Sequence, residues 1–495
     1  MAAEHFRSTP DQIQLAFFVD GSWDRSTGEG AFAVVFYKFA PRSKDDGKCV
    51  EMAWRMDPAI HNNYAELMEI AVSPRNANMT ATPPFNLVKA AETLLENARR
   101  LSALGESGSA PGVNKDEESL RRSIAMTAKK IAFETAPAID VVKADWVVFA
   151  DAAAWNLFME WKAFDLIPLD GSISIADLAS ALSASESLVS RIANLLIAVG
   201  KLLPGPAPGT IRHSRISLLY VSSNTVSALA SVAFGNGMKP YARWPEYFAQ
   251  YGRQEPEGQR HTPFSYGWGH PDLAPWEIKA LYPSYASTFT KAMKSRQIVG
   301  GDMPVAGPAA LYDLSWVGDE AAKKEGPLVV DVGGGLGQLL KDVVTAVPAM
   351  TPDRCVLQDR KEVIDEAREV GDELIQQVVM MDHDFHTEQP VKGALVYLLR
   401  RILLDYSDKL ATGILRQLAD ALPDDPKARV IIMEERLLDT PVPQNCIVDL
   451  VMLNLGGKLR NEKTMGEIAT AAGLKVIKYY AKPGDPTCVV ECAKA

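Results

Sequence analysis

Residues 326–347 read GPLVVDVGGGLGQLLKDVVTAV, and this stretch decides the fold. The β-branched run around Asp331 predicts a buried strand, the glycines predict a tight turn, and the residues after Gly337 predict a helix. Glycines let backbone N–H groups approach a ligand closely at a helix N-terminus. A carboxylate at the end of the strand can meet the amine or hydroxyl of that ligand. The stretch therefore predicts a Rossmann-like α/β domain with a ligand-binding loop at Gly333 and Gly335.

A second acidic residue follows the next predicted strand, RCVLQDRKEVI. Asp359 lies 22 residues after Gly337 in this strand, where a carboxylate can accept both hydroxyls of a ribose. Sites for dinucleotides and sites for S-adenosylmethionine (SAM) share this arrangement. The glycine loop and Asp359 alone leave both cofactors open.

The segment after this strand separates the two cofactors. Residues 378–422, VVMMDHDFHTEQPVKGALVYLLRRILLDYSDKLATGILRQLADAL, closely resemble the fungal branch of the plant and fungal, caffeate-type O-methyltransferase family. The resemblance covers about residues 86–495 and implies a class I methyltransferase domain with SAM as its cofactor. It also implies that Asp384 and Phe385 flank the adenine and that Arg400 is a basic residue near the cofactor. The other predicted cofactor-binding residues are Asp331, Gly333, Gly335 and Asp359.

The chain departs from this family at the catalytic base. Typical members read Leu-His-Asp-Trp where this chain has Leu403, Leu404, Asp405 and Tyr406, so that Leu404 occupies the histidine position. The family histidine takes the proton from the substrate hydroxyl, and general-base catalysis of this kind contributes about 10²–10⁴-fold. A leucine cannot accept a proton.

A second departure accompanies the first. The family supports its histidine with two glutamates, because an imidazole must be oriented to act as a base. The first glutamate matches Glu434 in IIMEERLL. The second belongs to the motif Gly-Gly-Lys-Glu-Arg, which reads GGKLR at residues 456–460, so that Leu459 replaces it. Both departures exchange a polar group for an apolar one around a single pocket.

The later run VDLVMLNLGGKLRNEKTMGEIATAAGL resembles the region that forms the substrate wall in the family. The resemblance implies four substrate-binding residues: Leu404, Met452, Asn454 and Leu459. Asp405 and Glu434 are the candidate catalytic residues, as polar groups that orient the substrate. His383 and His386 are close in sequence, but the family places their loop against the adenine and away from the methyl group.

Three functions fit these residues. The preferred hypothesis is that SAM stays bound while the pocket catalyses dehydration and pericyclic ring closure, such as a Diels–Alder reaction, of a polyketide-type intermediate. Some fungal members of the family without the histidine do this, and such a step needs an apolar cavity and a fixed positive charge rather than a base. The alternative is methyl transfer to an acidic hydroxyl, which needs little help from a base. The third is a catalytically inert SAM-binding partner subunit.

The first 82 residues predict a small α+β appendage. Two strand-like runs, AFFVDGSW and GAFAVVFYKF, precede a helix start, NNYAELMEIAVS. This beginning resembles a ribonuclease H domain, whose acidic metal ligands would match Asp20 and Glu66. Two-metal nucleases need further carboxylates, and the composition changes at residues 83–84 before the chain supplies them. We therefore expect an inactive fragment over residues 1–82.

Residues 83–225 predict a helical domain that includes a winged helix. Ser174 and Ser183 are spaced as helix N-caps, each with a carboxylate three residues later. A helix-turn-helix suggests DNA binding, but its second helix, SESLVSRIANLL, carries a single arginine, which favours dimerisation instead. The aromatic-rich residues 226–310 predict helices that line a substrate pocket. Residues 311–495 then form the predicted SAM domain.

The overall composition limits the partners. The net charge is −10, which argues against a broad nucleic-acid footprint. No apolar run approaches the length of a membrane-spanning helix. Five cysteines without a CxxC pair predict a reducing, cytosolic protein with no metal site. We expect a small-molecule substrate and, from the resemblance, a homodimer.

Overall fold

The structure is a computed structural model that describes residues 17–23, 30–36, 85–106, 115–299 and 311–495. The chain divides into two compact units, Met1–Val148 and Phe149–Ala495. The domain boundaries predicted from the sequence at residues 82, 225 and 310 stay predictions.

The first unit contains a hairpin and helices. Strands β1 (Phe17–Trp23) and β2 (Gly30–Phe36) pair antiparallel, so both predicted N-terminal strands are present. Asp20 lies in β1, whereas Glu66 and its predicted helix lie outside the described residues. Helices α1 (Leu87–Glu106) and α2 (Lys115–Thr135) follow, and α3 (Ala138–Glu160) continues into the second unit.

The second unit begins with a small three-stranded sheet. The sheet and the helices around it are α4 (Ala163–Leu166), β3 (Ile173–Ser174), α5 (Ile175–Ala181), α6 (Glu186–Ala198), β4 (Leu202–Pro204) and β5 (Thr210–His213). The antiparallel strand order is β3-β5-β4. The predicted cap of α5 is confirmed, because the Ser174 hydroxyl accepts a hydrogen bond from the Asp177 N–H at 3.0 Å. The predicted cap at Ser183 is wrong: Ser183 has a φ of 52°, and Ser185 is the N-cap of α6. The winged-helix interpretation stays a prediction.

A group of mostly short helices leads to the large sheet. They are α7 (Thr225–Ala233), α8 (Lys239–Tyr241), α9 (Trp244–Tyr251), α10 (Pro263–Gly267), α11 (Pro275–Leu281) and α12 (Pro283–Val299). A π-helical turn, Phe234–Met238, joins α7 to α8. Proline is the first residue of α10, α11 and α12, where its missing N–H costs no hydrogen bond.

The C-terminal domain is built on a seven-stranded sheet. Its elements are α13 (Ser315–Ala321), β6 (Val329–Val332), α14 (Gln338–Ala346), β7 (Cys355–Asp359), α15 (Lys361–Val370), β8 (Val379–Asp382), β9 (Val396–Arg400), α16 (Asp408–Ala421), β10 (Arg429–Glu435), α17 (Pro443–Leu455), α18 (Glu462–Ala471), β11 (Leu474–Ala481) and β12 (Thr487–Lys494). The strand order is β11-β12-β10-β9-β6-β7-β8. Strands β6 to β10 are parallel, and β12 pairs antiparallel with β10 and β11. The predicted Rossmann-like α/β domain is confirmed.

Two hydrophobic cores cover the two faces of this sheet. Val329 and Leu398 point into one core, which contains α14 and α15, and Val330 and Leu399 point into the other, which contains α16 and α18. Alternate residues of a strand face opposite sides of its sheet, so strands buried on both faces are continuously apolar. The carboxyl ends of β6 to β9 are thereby fixed along one edge, where the predicted site residues lie.

Candidate active site

The glycine loop after β6 is attached to the neighbouring strand. The N–H groups of Gly333 and Gly334 donate to the carbonyl oxygen of Gln358, at 2.8 and 3.0 Å. Gly333 and Gly335 have φ angles of 71° and 61°, which residues with a Cβ rarely adopt. The loop therefore needs glycine to keep its backbone close to the end of β7, as the sequence predicts.

Asp331 carries a buried carboxyl with an unused acceptor. The residue is 1% exposed, and its Oδ2 atom has no hydrogen-bond partner. Burial raises the pKa of Asp331 to about 7, Arg400 opposes this shift, and Asp359 adds to it. Buried polar atoms are almost always hydrogen-bonded in folded proteins. The orphaned oxygen thus fits a ligand that brings an amine or a hydroxyl to the end of β6.

Asp359 accepts hydrogen bonds from the glycine loop and can accept further ones from a ligand. Its Oδ2 atom accepts the N–H of Gly335 at 2.9 Å, and its Oδ1 atom accepts the N–H of Arg360 at 2.8 Å. Each carboxylate oxygen can accept a second hydrogen bond, which leaves capacity for the two ribose hydroxyls. The sequence predicts the binding of the ribose hydroxyls but not the hydrogen bond to the glycine loop.

The segment after β8 forms an aromatic wall beside the loop. The Cε1 atom of Phe385 lies 3.4 Å from the position that a Cβ on Gly333 would occupy. The Phe385 ring lies 5.0 Å from the His386 ring and 5.8 Å from the Tyr406 ring, centroid to centroid. Asp384 accepts the N–H of His386 at 3.0 Å. An adenine fits such a wall, because stacking on aromatic rings is sequence-tolerant for every base.

The residues predicted for the cofactor lie along the same edge of the sheet. Asp331 and Arg400 come from the neighbouring strands β6 and β9, and Asp359 ends β7. Three features of this edge fit SAM: the unpaired Oδ2 atom of Asp331, the glycine loop and the aromatic wall that contains Phe385. His383, whose N–H donates to the Asp359 carbonyl at 2.9 Å, lies in the same loop as Phe385. Burial lowers the pKa of His383 and of His386.

The position predicted from the sequence for the family's base is apolar and packed. Leu404 lies in a short 3-10 turn, Leu403–Asp405, and is 5% exposed, while Leu459 is 3% exposed. Both belong to one cluster, which we call the apolar cluster: Phe264, Ile278, Leu404, Met452, Leu455 and Leu459. The structure therefore brings three of the four predicted substrate residues together.

The fourth predicted substrate residue, Asn454, belongs to a buried polar network. Its Oδ1 atom accepts the indole N–H of Trp244 at 2.8 Å, and its amide donates to the carbonyl of Asn236 at 2.9 Å. The hydroxyl of Tyr285 donates to the Oδ1 atom of Asn236. Asn236 lies in the π-helical turn, and such turns are frequent at functional sites. The side-chain amide of Asn454 thus fixes α17 against the helices before the sheet.

Glu434 supports the 3-10 turn instead of an imidazole. Its Oε1 atom accepts the N–H groups of Ile402 and Leu403, at 2.9 and 2.7 Å. Its Oε2 atom is buried without a partner. Burial raises the pKa of Glu434 to about 8 against the effect of these two hydrogen bonds. This carboxyl is therefore a positioning group for the segment that contains Leu404 and Asp405.

The substitution Glu434→Gln should make stability less dependent on pH. The raised pKa means that the folded state binds a proton that the unfolded state has released between pH 4.5 and 8, so stability falls as pH rises through this window. Glutamine keeps the Oε1 acceptor and does not ionise. We expect similar melting temperatures at pH 5 and an advantage for the variant that grows to several kcal/mol at pH 8. If the melting temperatures of the wild type and the variant change by the same amount between pH 5 and pH 9, this expectation is wrong.

Sequence reasoning missed two polar residues around this turn. Arg460, 2% exposed, donates to the carbonyls of Leu403 and Tyr406, both at 2.8 Å. The side-chain amide of Gln259 donates to the carbonyl of Asp405 at 2.9 Å. Arg460 is the last letter of the GGKLR motif, whereas no pattern in the sequence distinguishes Gln259 from surface residues.

An open groove of about 860 Å³ lies beside this turn. Its lining includes Tyr247, Tyr251, Gln259, Trp276, His386 and Lys409. Gln259 and His386 connect it to the turn and to the aromatic wall. Leu404, Met452, Asn454 and Leu459 do not line the groove, so the predicted substrate residues lie deeper than this opening.

The described part of the chain contains neither a group of metal-binding side chains nor a helix suited to span a membrane. Within it, no three His, Cys, Asp or Glu side chains gather in a way that could hold a metal ion. No helix among residues 85–106, 115–299 and 311–495 combines the length and apolarity needed to cross a bilayer.

Comparison with known proteins agrees with this site. An O-methyltransferase domain model matches residues 249–475. The methyltransferase cfoD of Aspergillus candidus is 36% identical over 414 residues, which cover 82% of this chain and 99% of that protein. The methyltransferase pynC of Aspergillus niger is 39% identical over 347 residues, 69% of this chain and 93% of that protein. The chain belongs to the O-methyltransferase family. As an O-methyltransferase-family member it is a SAM-dependent enzyme, and both of these relatives are fungal methyltransferases.

Solved structures share the fold of this O-methyltransferase-family enzyme. OxaC in complex with S-adenosylhomocysteine (SAH) and oxaline has a TM-score of 0.67 at 18% identity, covering 83% of this chain and 99% of that one. A structure described as a pericyclic reaction enzyme has a TM-score of 0.65 at 21% identity, covering 82% and 100%. At these identities the likeness shows the class I methyltransferase fold alone.

Proposed function

We propose that the enzyme methylates an acidic hydroxyl of a polyketide-type small molecule, with no general base at the family position. The observation that carries the proposal is Leu404, which is buried in the apolar cluster where the family has its histidine. The same chain is 36% and 39% identical to two fungal proteins named methyltransferases. A substrate that ionises by itself reconciles these two observations, because it needs no residue to take its proton.

The chemistry balances without a protein base. SAM, when bound, supplies a methyl group on a sulfonium, and the S–CH3 bond breaks as the anionic substrate atom forms its new bond to that carbon. The proton leaves the substrate for water before this step, so Asp405 and Glu434 have no proton to carry. Glu434 acts by position instead, because it and Arg460 hold the turn that carries Leu404 and Asp405.

The apolar cluster favours this reaction. Phe264, Ile278 and Leu404 are buried together in it, so a substrate group that packs against them would lie away from water. Opposite charges attract more strongly in a medium of low dielectric constant than in water. A step that combines an anion with a sulfonium into two neutral products gains from water exclusion, and orientation of the two reactants supplies the remaining acceleration.

Acceptors of graded acidity test the proposal. We expect methyl transfer from methyl-labelled SAM to 4-hydroxy-6-methyl-2-pyrone, an acidic enol, to exceed transfer to phenol by about 10²-fold or more, the contribution that a base would have to make for phenol. Mass spectrometry of both products measures the ratio. Equal rates would reveal a base that this proposal does not contain.

Ring closure is the second candidate function. The replacement of two polar groups by Leu404 and Leu459 in one cluster favours it, because a pericyclic step needs a shaped apolar wall and a fixed charge. The distinguishing experiment incubates the enzyme with a metabolite extract from a strain that lacks its gene. A dehydrated or isobaric product with SAM unconsumed would replace the methyltransferase proposal, whereas a product one methyl heavier would support it.

A further inference from the structure

The open groove beside the 3-10 turn has an aromatic lining, to which Tyr247, Tyr251, Trp276 and His386 contribute. The Tyr251 ring lies 5.1 Å from the Tyr247 ring and 5.5 Å from the His261 ring, centroid to centroid. The Tyr247 hydroxyl donates to the carbonyl of His261 at 2.7 Å, whereas Trp276 is 41% exposed. Rings that are already held in place offer a flat ligand a surface that needs little reordering.

A glycine inside α16 contributes to the space of the groove. Gly413 lies in the interior of this helix, where glycine costs stability relative to alanine. A Cβ at this position would meet no atom of the described residues within 4 Å, so close packing does not require the glycine. Leu410, Gly413 and Gln417 are spaced three and four residues apart, which places them on one face of α16, and all three line the groove. The absent side chain of Gly413 therefore leaves room for a ligand.

The charges of the groove suit an uncharged ligand. Apart from its histidines, the lining contains two acidic and two basic residues, whose formal charges cancel: Glu255, Glu257, Arg260 and Lys409. Glu255 is paired with Lys458 at 2.7 Å, and Arg260 is paired with Glu277 at 2.9 Å. An ionic ligand would compete with these pairs, whereas a neutral one would not.

Gln259 and His386 join the groove to the rest of the site. The side-chain amide of Gln259 donates to the carbonyls of Asp405 and Leu455, at 2.9 and 3.4 Å, and Leu455 belongs to the apolar cluster. The His386 ring lies 5.0 Å from the Tyr406 ring, centroid to centroid. The groove therefore borders both the turn and the aromatic wall. Its volume of about 860 Å³ is in the range of sites for whole small molecules.

We propose that this groove binds the remote part of the substrate, a flat and unsaturated substituent such as an aryl ring or a conjugated chain. The acidic ring of the same molecule then extends past Gln259 toward the apolar cluster. This inference rests on the proposed function, because it assigns a second part of the substrate that is methylated there. Because the groove is open on one side, it selects flat substituents and tolerates different lengths.

Equilibrium binding tests this inference without turnover. The full-length enzyme is loaded with SAH and titrated calorimetrically with 4-hydroxy-6-methyl-2-pyrone and with 4-hydroxy-6-styryl-2-pyrone, which share the acidic ring and differ in the flat substituent. The wild type should bind the styryl compound more tightly by roughly 10-fold or more, because an additional aromatic group is removed from water. A wild-type ratio of the two affinities near one would overturn the inference.

Two variants change the groove in opposite ways. Gly413→Leu fills it and should lower the ratio of affinities by roughly 10-fold, with no loss of melting temperature, because leucine is the better helix former. Trp276→Ala removes one aromatic wall and should lower the ratio by roughly 2- to 10-fold. Gly466→Leu is the matched control: Gly466 lies inside α18, and a Cβ there would also meet no described atom within 4 Å. This control should keep the wild-type ratio.

The outcomes separate this inference from the proposed function. An unchanged ratio in both Gly413→Leu and Trp276→Ala would overturn the inference. Weaker binding of SAH with an unchanged ratio would also overturn it, because the groove would then belong to the cofactor. A ratio that falls as expected, while neither pyrone is methylated, would overturn only the proposed function.

Discussion

The substitution Gly333→Val is expected to weaken SAM binding by roughly 10- to 150-fold or more. A Cβ at this position would lie 2.6 Å from the Cδ1 atom of Ile402 and 3.4 Å from the Cε1 atom of Phe385. A valine at this position therefore displaces the end of the Ile402 side chain or the loop itself, and the φ of 71° strains any residue that has a Cβ. Movement of the loop misplaces the backbone groups that would meet the cofactor, and each lost charge-assisted hydrogen bond costs about 1.5–3 kcal/mol. Calorimetric titration of the purified variant with SAM measures the loss.

A glycine elsewhere provides the control for backbone strain. Gly393 has a φ of 76°, close to the 71° of Gly333, and a Cβ there would have no atom within 4 Å. Gly393→Val should lose about 1–2 kcal/mol of stability through its left-handed backbone and should bind SAM like the wild type. If Gly333→Val binds SAM as well as Gly393→Val does, the loop is not the cofactor cradle.

The double substitution Leu404→His with Leu459→Glu is expected to extend methylation to weakly acidic acceptors. It restores the base and one of its supporting carboxylates, so transfer to phenol should rise by about 10²–10⁴-fold. Any ring-closing activity should weaken, because the apolar wall is lost. Both sites are nearly fully buried, and polar groups placed there cost stability. The variant should therefore melt at a lower temperature than the wild type, and the assay should be run below that temperature.

Met452→His is the matched control for this experiment. Met452 belongs to the same apolar cluster, so the variant buries an imidazole at comparable cost without restoring the base position. Only the double variant should gain activity toward phenol. If the folded, SAM-binding double variant leaves both methylation and cyclisation unchanged, positions 404 and 459 do not line the reactive centre.

The cofactor edge was largely predictable from sequence because its signals are local. The strand before Asp331, the glycine turn and the acid at Asp359 lie at fixed short spacings within one β-α-β unit, and the structure places them on adjacent strands. The hydrogen bond from Gly335 to Asp359 was not predicted, because it depends on how far the loop folds back over β7. The predicted roles of these residues toward SAM stay predictions until binding is measured.

The substrate side was less predictable because its contacts join distant segments. Trp244 and Asn454 are separated by 210 residues, and Gln259 and Asp405 by 146. The error at Ser183 has a local cause: a three-residue capping spacing fits this serine, but the backbone turns left-handed there and delays the helix by two residues.

The hydrogen bonds between Glu434 and the backbone affect how the reaction of such enzymes can change during evolution. Because its carboxyl is bound to the N–H groups of Ile402 and Leu403, it does not depend on the identity of the side chain at position 404. A single codon change there can remove a proton acceptor and leave the Oε2 atom of Glu434 without a partner, while the hydrogen bonds of its Oε1 atom still hold the surrounding turn. The conformation of the turn therefore does not depend on whether residue 404 can accept a proton. Enzymes with this fold can change their reaction at that position during evolution while they keep the same cofactor site.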